Sequence, residues 1–254
     1  MKSRKLMMFL LAVVILLVTA CGPGNKKSEK SGEEGVDASK FIIETTNNAP
    51  AVKDAVLKVA LVKDSPLVGI FYTNIGQGDG YDGDLISLFF NNQIFDTDEN
   101  FEITDTGLAT LNVDIPNKKA TIKIKDGVKW SDGQPLVADD IIYTFEVIAN
   151  KDYTGVRFDD ESLKVIGVKE YHEGKAGNIS GLKKIDDKTV EVSFTEIGQG
   201  IYTIGNGLIG SVLPKHYLKD IPIKDLEKSE RVRSKVLTLG AYTIVSNVQG
   251  ESLN

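Results

Sequence analysis

One cysteine and two histidines in 254 residues leave too few soft ligands for a structural zinc site, and a lone thiol excludes a disulfide framework within the chain. Basic charge is scarce as well. Thirty bases face 36 acids, for a net charge of −6, and Lys2, Arg4 and Lys5 sit in a first stretch of twenty residues without an acid. The remainder is therefore strongly acidic and carries no basic block, which argues against a nucleic-acid partner, whose affinity needs clustered Lys and Arg. Aromatic residues make up 7%, with a single tryptophan, Trp130. What remains is ordinary globular composition, long enough for one large domain or two modest ones without covalent staples.

The longest apolar run, Leu6 to Val18, has thirteen residues and follows the basic Lys2–Lys5 stretch. It is short for a hydrocarbon core of ~30 Å but fits a secretory h-region. Val18-Thr19-Ala20-Cys21 comes next and resembles the lipobox of bacterial lipoproteins, with cleavage after residue 20 and a diacylglycerol on Cys21. A general secretory cleavage site is the plainer alternative. The only cysteine standing where lipidation needs one favours the anchor, and several acyl chains hold stably where one would not. Gly22 to Lys40 contains only Val36 and Ala38 as apolar residues and reads as a solvated tether through residue 54. A body held outside the membrane has no supply of ATP or reduced nicotinamide, so no cofactor is expected.

Along the body, Val56–Val62 alternates as a buried strand, and Asp84–Asn92 reads as a short apolar helix entered from a glycine-rich loop. Phe95–Ile103 predicts a hairpin, and Leu108–Ile115 with Ala120–Lys125 a second one around Pro116-Asn117. Val137, Ile141, Ile142, Phe145 and Ile148 mark one face of a helix over 137–150. Leu163–Val168, Thr189–Phe194 and Ala241–Val248 are further strands in this reading, and Pro214–Leu218 is a helical turn. The chain ends within an element, so the expectation is a truncated sequence.

Several patterns fail on chemistry. Gly78–Gly83 and Gly205–Gly210 both satisfy G-x-G-x-x-G. Asp79, Asp82 and Asp84 would crowd a pyrophosphate at the first, and Pro214 interrupts the required helix at the second. A flexible loop beside a ligand is the better reading of the first, with its aspartates in a solvated acidic loop. Asp96-x-Asp98-x-Asn100 begins like a calcium loop, but Phe101 replaces the glycine and Gly107 the closing glutamate. No metal site is expected. His172 and His216 are 44 positions apart, in no metal or nucleophile pattern, and read as surface residues. Nothing marks a catalytic residue. Trp130, at the end of an alternating run, is either a packing anchor or a ligand-stacking ring, and its place where a strand turns towards a helix favours the anchor.

Residues 121–148 carry a strand ending in Lys125, then Asp126-Gly127, Trp130-Ser131-Asp132-Gly133, Pro135, and Ala138-x-Asp140 opening a helix. This stretch resembles the signature of the extracellular solute-binding proteins of peptide ABC transporters. Gly181–Phe194, Leu213-Pro214-Lys215-His216, and Gly240-Ala241-Tyr242 with Gly250-Glu251-Ser252 resemble further family stretches in order and spacing. The resemblance implies an α/β, periplasmic-binding-protein-like (type II) fold of two lobes with an inserted small α+β domain. Residues 55–82 and 193–254 would form a discontinuous first lobe and 83–192 the insertion, with the second lobe absent from this chain. It also implies capture of an oligopeptide, with ABC permease subunits and their ATPases as partners. Gln77, Gly78 and Asp79 lie where the family presents an extended strip to the peptide backbone, while Trp130, Asp132 and Gly133 carry structural roles. Relatives that bind nickel chelates, haem, glutathione or sugars, and peptide-sensing lipoproteins without a transporter, remain the alternatives.

Cys21→Ser in the protein as encoded by its gene is expected to move it from the membrane fraction to the soluble fraction. Unchanged, detergent-dependent membrane association would remove the lipid anchor.

Overall fold

The computed structural model describes residues 56, 58–60, 62, 66–76, 80–90, 93–204, 208–248 and 251–254. The chain divides into residues 1–59 and 60–254. In the first unit only Val56, Lys58 and Val59 are described; all three are exposed and outside regular structure. Ala60 and Val62, in the second unit, are exposed and irregular too. The buried strand expected over 56–62 is thus not formed at its described residues. Alternation gives a strand one apolar face, but a strand also needs a neighbour for its backbone groups, and none of the described strands pairs there.

The second unit is organised by a four-stranded antiparallel sheet. Its strands are β3 (Ala109–Asp114), β4 (Lys119–Ile124), β5 (Leu182–Asp186) and β6 (Thr189–Ser193), in the order β3-β4-β6-β5. Two hairpins meet at the β4–β6 seam, where Ile122 lies opposite Val190 and Ala120 opposite Val192. Period-two alternation puts Ala120, Ile122 and Ile124 on the buried face and leaves Lys123 exposed. A small hairpin, β1 (Asp96–Thr97) with β2 (Ile103–Thr104), turns at Asp98, whose Oδ1 accepts the Asn100 and Glu102 amides at 2.8 and 2.9 Å. This is the turn expected there in place of a calcium loop.

Gly80–Leu85 forms helix α1 and runs into a wider turn at Ile86–Phe90. The glycine-rich segment expected as a flexible loop is therefore helical from Gly80. Asp82 is 1% exposed, and its Oδ2 accepts the Gly69 amide at 3.1 Å, so it does not belong to a solvated acidic loop. The early start of the helix carries it inward.

Helix α2 (Ala138–Ile148) is the wall between two apolar clusters. Ile141, Phe145 and Ile148 pack on the sheet side, with Ile122, Val190 and Trp130 in the same cluster. Tyr143 and Val147 face a second cluster with Ile70, Phe71, Tyr72, Phe90, Leu213 and Leu218. An 11-residue helix buried on two sides explains why its sequence is apolar over more than one stripe.

Two further strand expectations are corrected. Ser162–Lys164 is a 3₁₀ turn and Val168–His172 is helix α3, with only Val165 bridging Phe194. Asp159 and Ser162 close that turn by exchanging hydrogen bonds, and Gly167 at φ +84° breaks the extended path. Between 241 and 248 only Asn247–Val248 (β7) is a strand, paired with Ser252–Leu253 (β8). Upstream the backbone is held irregularly, with Tyr242 O accepting the Thr238 hydroxyl and both Val245 N and Ser246 N donating to Asn254 O. The remaining elements are short: α4 (Ile201–Ile204), α5 (Lys215–Leu218), a 3₁₀ turn at Ile223–Lys228 and α6 (Glu230–Arg233).

Lys184 on edge strand β5 pairs with Asp139 on the first turn of α2 and with Asp187, and Lys215 reaches Asp139 from α5 at 3.4 Å. The Lys184 hydrogen bond holds the Asp139 carboxyl below its ordinary value. A depressed carboxyl stabilises the fold above its unfolded pKa and loses that contribution as pH falls through the folded value. Asp139→Asn is therefore expected to be less stable than wild type at neutral pH, with a deficit that shrinks on acidification below the ordinary aspartate pKa of about 3.9. Denaturant midpoints across pH read this directly, and a deficit constant down to low pH would discount the ion pairs.

Candidate functional site

The signature stretch folds around one carboxylate. Asp140 is 1% exposed. Its Oδ2 accepts Trp130 Nε1 and the Val137 amide, each at 3.1 Å, and its Oδ1 accepts the Lys215 amide at 2.8 Å. Val137 is the N-cap of α2, so this is the returning half of a capping box, made by the third helical residue. Burial pushes the Asp140 carboxyl up from its ordinary value, against the pull of the hydrogen bonds from Trp130, Val137 and Lys215. One turn later Thr144 Oγ1 donates to Asp140 O at 2.7 Å and accepts the Leu213 amide at 2.9 Å. The first two turns of α2 thus grip residues 213–215.

Trp130 is 2% exposed within the sheet-side cluster. Asp132 Oδ1 accepts the Gln134 amide at 3.0 Å, and its Oδ2 lies 2.9 Å from His216 Nε2. Gly133 adopts φ +86°, which the turn back to Pro135 requires and which a side chain would strain. His172 is half-buried, contrary to its surface reading. Its ring stacks on Phe158 at 4.2 Å and 15°, and its Nδ1 lies 3.1 Å from Ala149 O. Cys21, Gln77, Gly78 and Asp79 fall outside the described residues, as do 205–207 of the second glycine pattern.

Held by this frame is a groove of about 460 Å³. Its apolar floor comes from the end of α2, Phe145, Ile148 and Ala149, with Val168 and Ile209. One wall is the 73–74 strip and another the 208–211 strip, joined by Thr73 Oγ1 donating to Ser211 Oγ at 2.8 Å and Asn74 Nδ2 donating to Ser211 O at 2.7 Å. Ser211 also bridges Gln93. The third wall is the loop after α2. Tyr153 OH donates to Asn74 O at 2.8 Å and accepts the Arg157 amide at 3.3 Å, and Arg157 Nε points at Thr73 O, 3.5 Å away. Gly155 is obligatory here, since an added Cβ would lie 2.3 Å from the Tyr153 hydroxyl and 2.9 Å from Gly76 O. Gly76, at φ +68°, marks where the strip leads into the expected 77–79 segment.

The groove combines two hydrogen-bonded strips with small hydroxyls and an apolar floor with few charges, which suits binding better than acid–base chemistry. Thr73, Asn74, Arg157 and Ser211 are missed from sequence. Each sits in an irregular segment with no periodicity or motif, and only the long-range crossing of loops brings them together.

Over residues 105–254 the chain matches the family of bacterial extracellular solute-binding proteins, family 5, middle region. It is 35% identical to the oligopeptide-binding protein OppA of Lactococcus lactis subsp. cremoris, covering 98% of this chain and 43% of that protein. It is 28% identical to the oligopeptide-binding protein AppA of Bacillus subtilis, covering 99% of this chain and 40% of the other. The chain thus spans about two fifths of the length of these curated relatives. Among solved structures, lactococcal OppA complexed with an endogenous peptide in the closed conformation superposes with a TM-score of 0.69 at 33% identity, covering 75% of this chain and 36% of that one. The Escherichia coli murein tripeptide binding protein MppA shares the fold at a TM-score of 0.60 and 20% identity, covering 76% of this chain and 36% of that one.

Trp130→Ala is expected to cost about 3–5 kcal/mol, the range for losing a buried aromatic ring. Trp130→Phe keeps most of the ring but loses the donor to Asp140, for about 1–3 kcal/mol. Urea unfolding separates the two. Equal losses would put the hydrogen bond ahead of the ring, and no loss in either variant would take Trp130 out of the core.

Proposed function

The chain belongs to the bacterial extracellular solute-binding proteins of family 5, and from that membership we propose that it captures oligopeptides outside the cell for an ABC importer. The observation that carries the reading is the likeness to lactococcal OppA, an oligopeptide-binding protein, at 33% identity over a TM-score of 0.69. The groove agrees in kind. It is an open cleft with an apolar floor and side-chain hydroxyls on its walls, which suits an extended peptide with varied side chains. Binding, not catalysis, is the activity in this reading.

The finer parts belong to the same proposal. Residues 55–82 and 193–254 form a first lobe and 83–192 an inserted small domain, with α2 packed against both apolar clusters. Gln77, Gly78 and Asp79 contribute contacts to the peptide backbone, with glycine allowing close approach. Closure over the ligand shifts a two-state equilibrium, and the permease reads the closed form while its ATPases supply the energy. Cys21 carries the lipid that keeps the protein at the outer face of the membrane.

A mixed peptide library is expected to raise the melting temperature of the protein as encoded by its gene by several degrees, since saturation at about 100 times Kd stabilises by roughly 2.7 kcal/mol. Haem, glutathione, nickel chelates and sugars are expected to leave it unchanged. A shift with one of those and none with peptides would replace the oligopeptide by that solute.

A further inference from the structure

The charges on the groove walls are few, and only one of them is positive. Arg157, Asp159 and Glu161 line the groove. Glu161 is engaged by Lys164 at 2.8 Å, and Asp159 turns Oδ1 into its own turn to accept the Ser162 amide at 2.9 Å. Arg157 makes none of the ion pairs found among the described residues. Its Nε is directed at Thr73 O, 3.5 Å away, and its amide at Tyr153 OH, 3.3 Å away. Both ends of the residue are thereby referred to the 73–74 strip, because Tyr153 OH itself donates to Asn74 O. A guanidinium carries five N–H donors in a planar fork. With Nε turned to the strip, the two terminal nitrogens have no protein acceptor among the described residues, on an exposed residue of a groove whose floor includes Phe145 and Ile148.

We propose that Arg157 is a specificity-determining residue of this groove and that it binds a carboxylate of the ligand through its terminal nitrogens. The inference rests on the peptide-binding reading above and names a chemical class within it: peptides that bring a carboxylate to this wall are preferred over those that do not. A bidentate pair is the geometry the planar fork favours, and water displaced from the apolar floor strengthens it. The carboxylate comes from the peptide C-terminus or from an acidic side chain.

Calorimetry on the protein as encoded by its gene distinguishes these sources. The probes are alanine pentapeptides with a free or an amidated C-terminus, and the amidated peptide with a central Glu or Gln. Wild type is expected to favour one carboxylate member by about tenfold over its neutral partner. The free-acid pair reports the C-terminus and the Glu/Gln pair the side chain. Arg157→Gln is expected to bring that ratio close to one, because the carboxylate peptide loses more affinity than its neutral partner. Arg157→Lys is expected to recover part of the ratio, because it restores charge without the fork. Peptide binding with no carboxylate preference, a preference that survives in Arg157→Gln, or an equal loss for charged and neutral peptides each overturns the role of Arg157. Absence of binding by every peptide in wild type instead overturns the peptide reading, and this inference with it.

Discussion

One buried carboxylate decides whether the rest of this architecture assembles. Asp140 joins three segments that are far apart in sequence or direction: the loop carrying Trp130, the N-cap of the central helix, and the start of the 215–218 helix. A charged group at 1% exposure is expensive unless its lone pairs are occupied, and here three N–H donors occupy them. The cost of burial is thereby converted into selectivity, since any arrangement that separates one of the three segments leaves the carboxylate short of a partner in a low-dielectric site. No apolar residue at this position offers the same penalty against misassembly. The arrangement also explains why the motif couples a tryptophan to an aspartate ten positions later. The indole supplies both the bulk of the sheet-side core and the one side-chain donor of the three.

From that point order passes along the helix. Thr144 repeats the grip one turn on. At the far end the helix closes with Ala149 N donating to Phe145 O, while Ala149 O lies against the His172 ring that stacks on Phe158. The loop that follows delivers Tyr153 to the 73–74 strip. The same eleven-residue element therefore fixes residues 213–215 at its beginning and the groove loop at its end. A helix of that length spans about 16 Å, and its side chains on two opposed faces belong to two cores. A rigid shared wall keeps the groove strips in register although neither strip is a long strand.

What the sequence made legible follows from where side-chain periodicity and backbone pairing coincide. In β3–β4 each strand has its partner a short turn away, so alternation alone locates that hairpin, and the spacing of Val137 to Ile148 locates the helix. Of the second hairpin alternation finds only β6, because β5 is exposed from Lys183 to Asp186 and carries no alternating pattern. Segment 163–168 is as apolar as a strand, yet the Asp159–Ser162 exchange and Gly167 turn it into a helical turn. Residues 241–246 fail for another reason: Tyr242 O is taken by the Thr238 hydroxyl four residues back, and Val245 N and Ser246 N converge on the one carbonyl of Asn254. At the groove the signal is weakest. Asn74 is buried at 6% exposure because its amide satisfies Ser211 O and its own carbonyl satisfies Tyr153, relations over 137 and 79 positions that leave no local trace. The aspartate and tryptophan of the motif were visible, but the pattern does not say that the one caps the other.

On the peptide-binding proposal, the groove divides its labour for a physical reason. A site that accepts many ligands of one backbone type gains most from contacts every member can make, and the 73–74 and 208–211 strips hold main-chain groups and hydroxyls in place by bonding to each other first. Such contacts carry no preference among side chains. Preference has to come from a feature whose environment is fixed but whose capacity is unspent. On the proposal above Arg157 meets both conditions, because its amide and Nε are directed at groups on or bonded to the strip, while its terminal nitrogens have no acceptor among the described residues. The backbone bond to Tyr153 supplies part of the ordering that a ligand would otherwise have to impose on the residue. A lysine at the same place would keep the charge but lose the second attachment, because its one nitrogen would have to serve both the strip and the ligand.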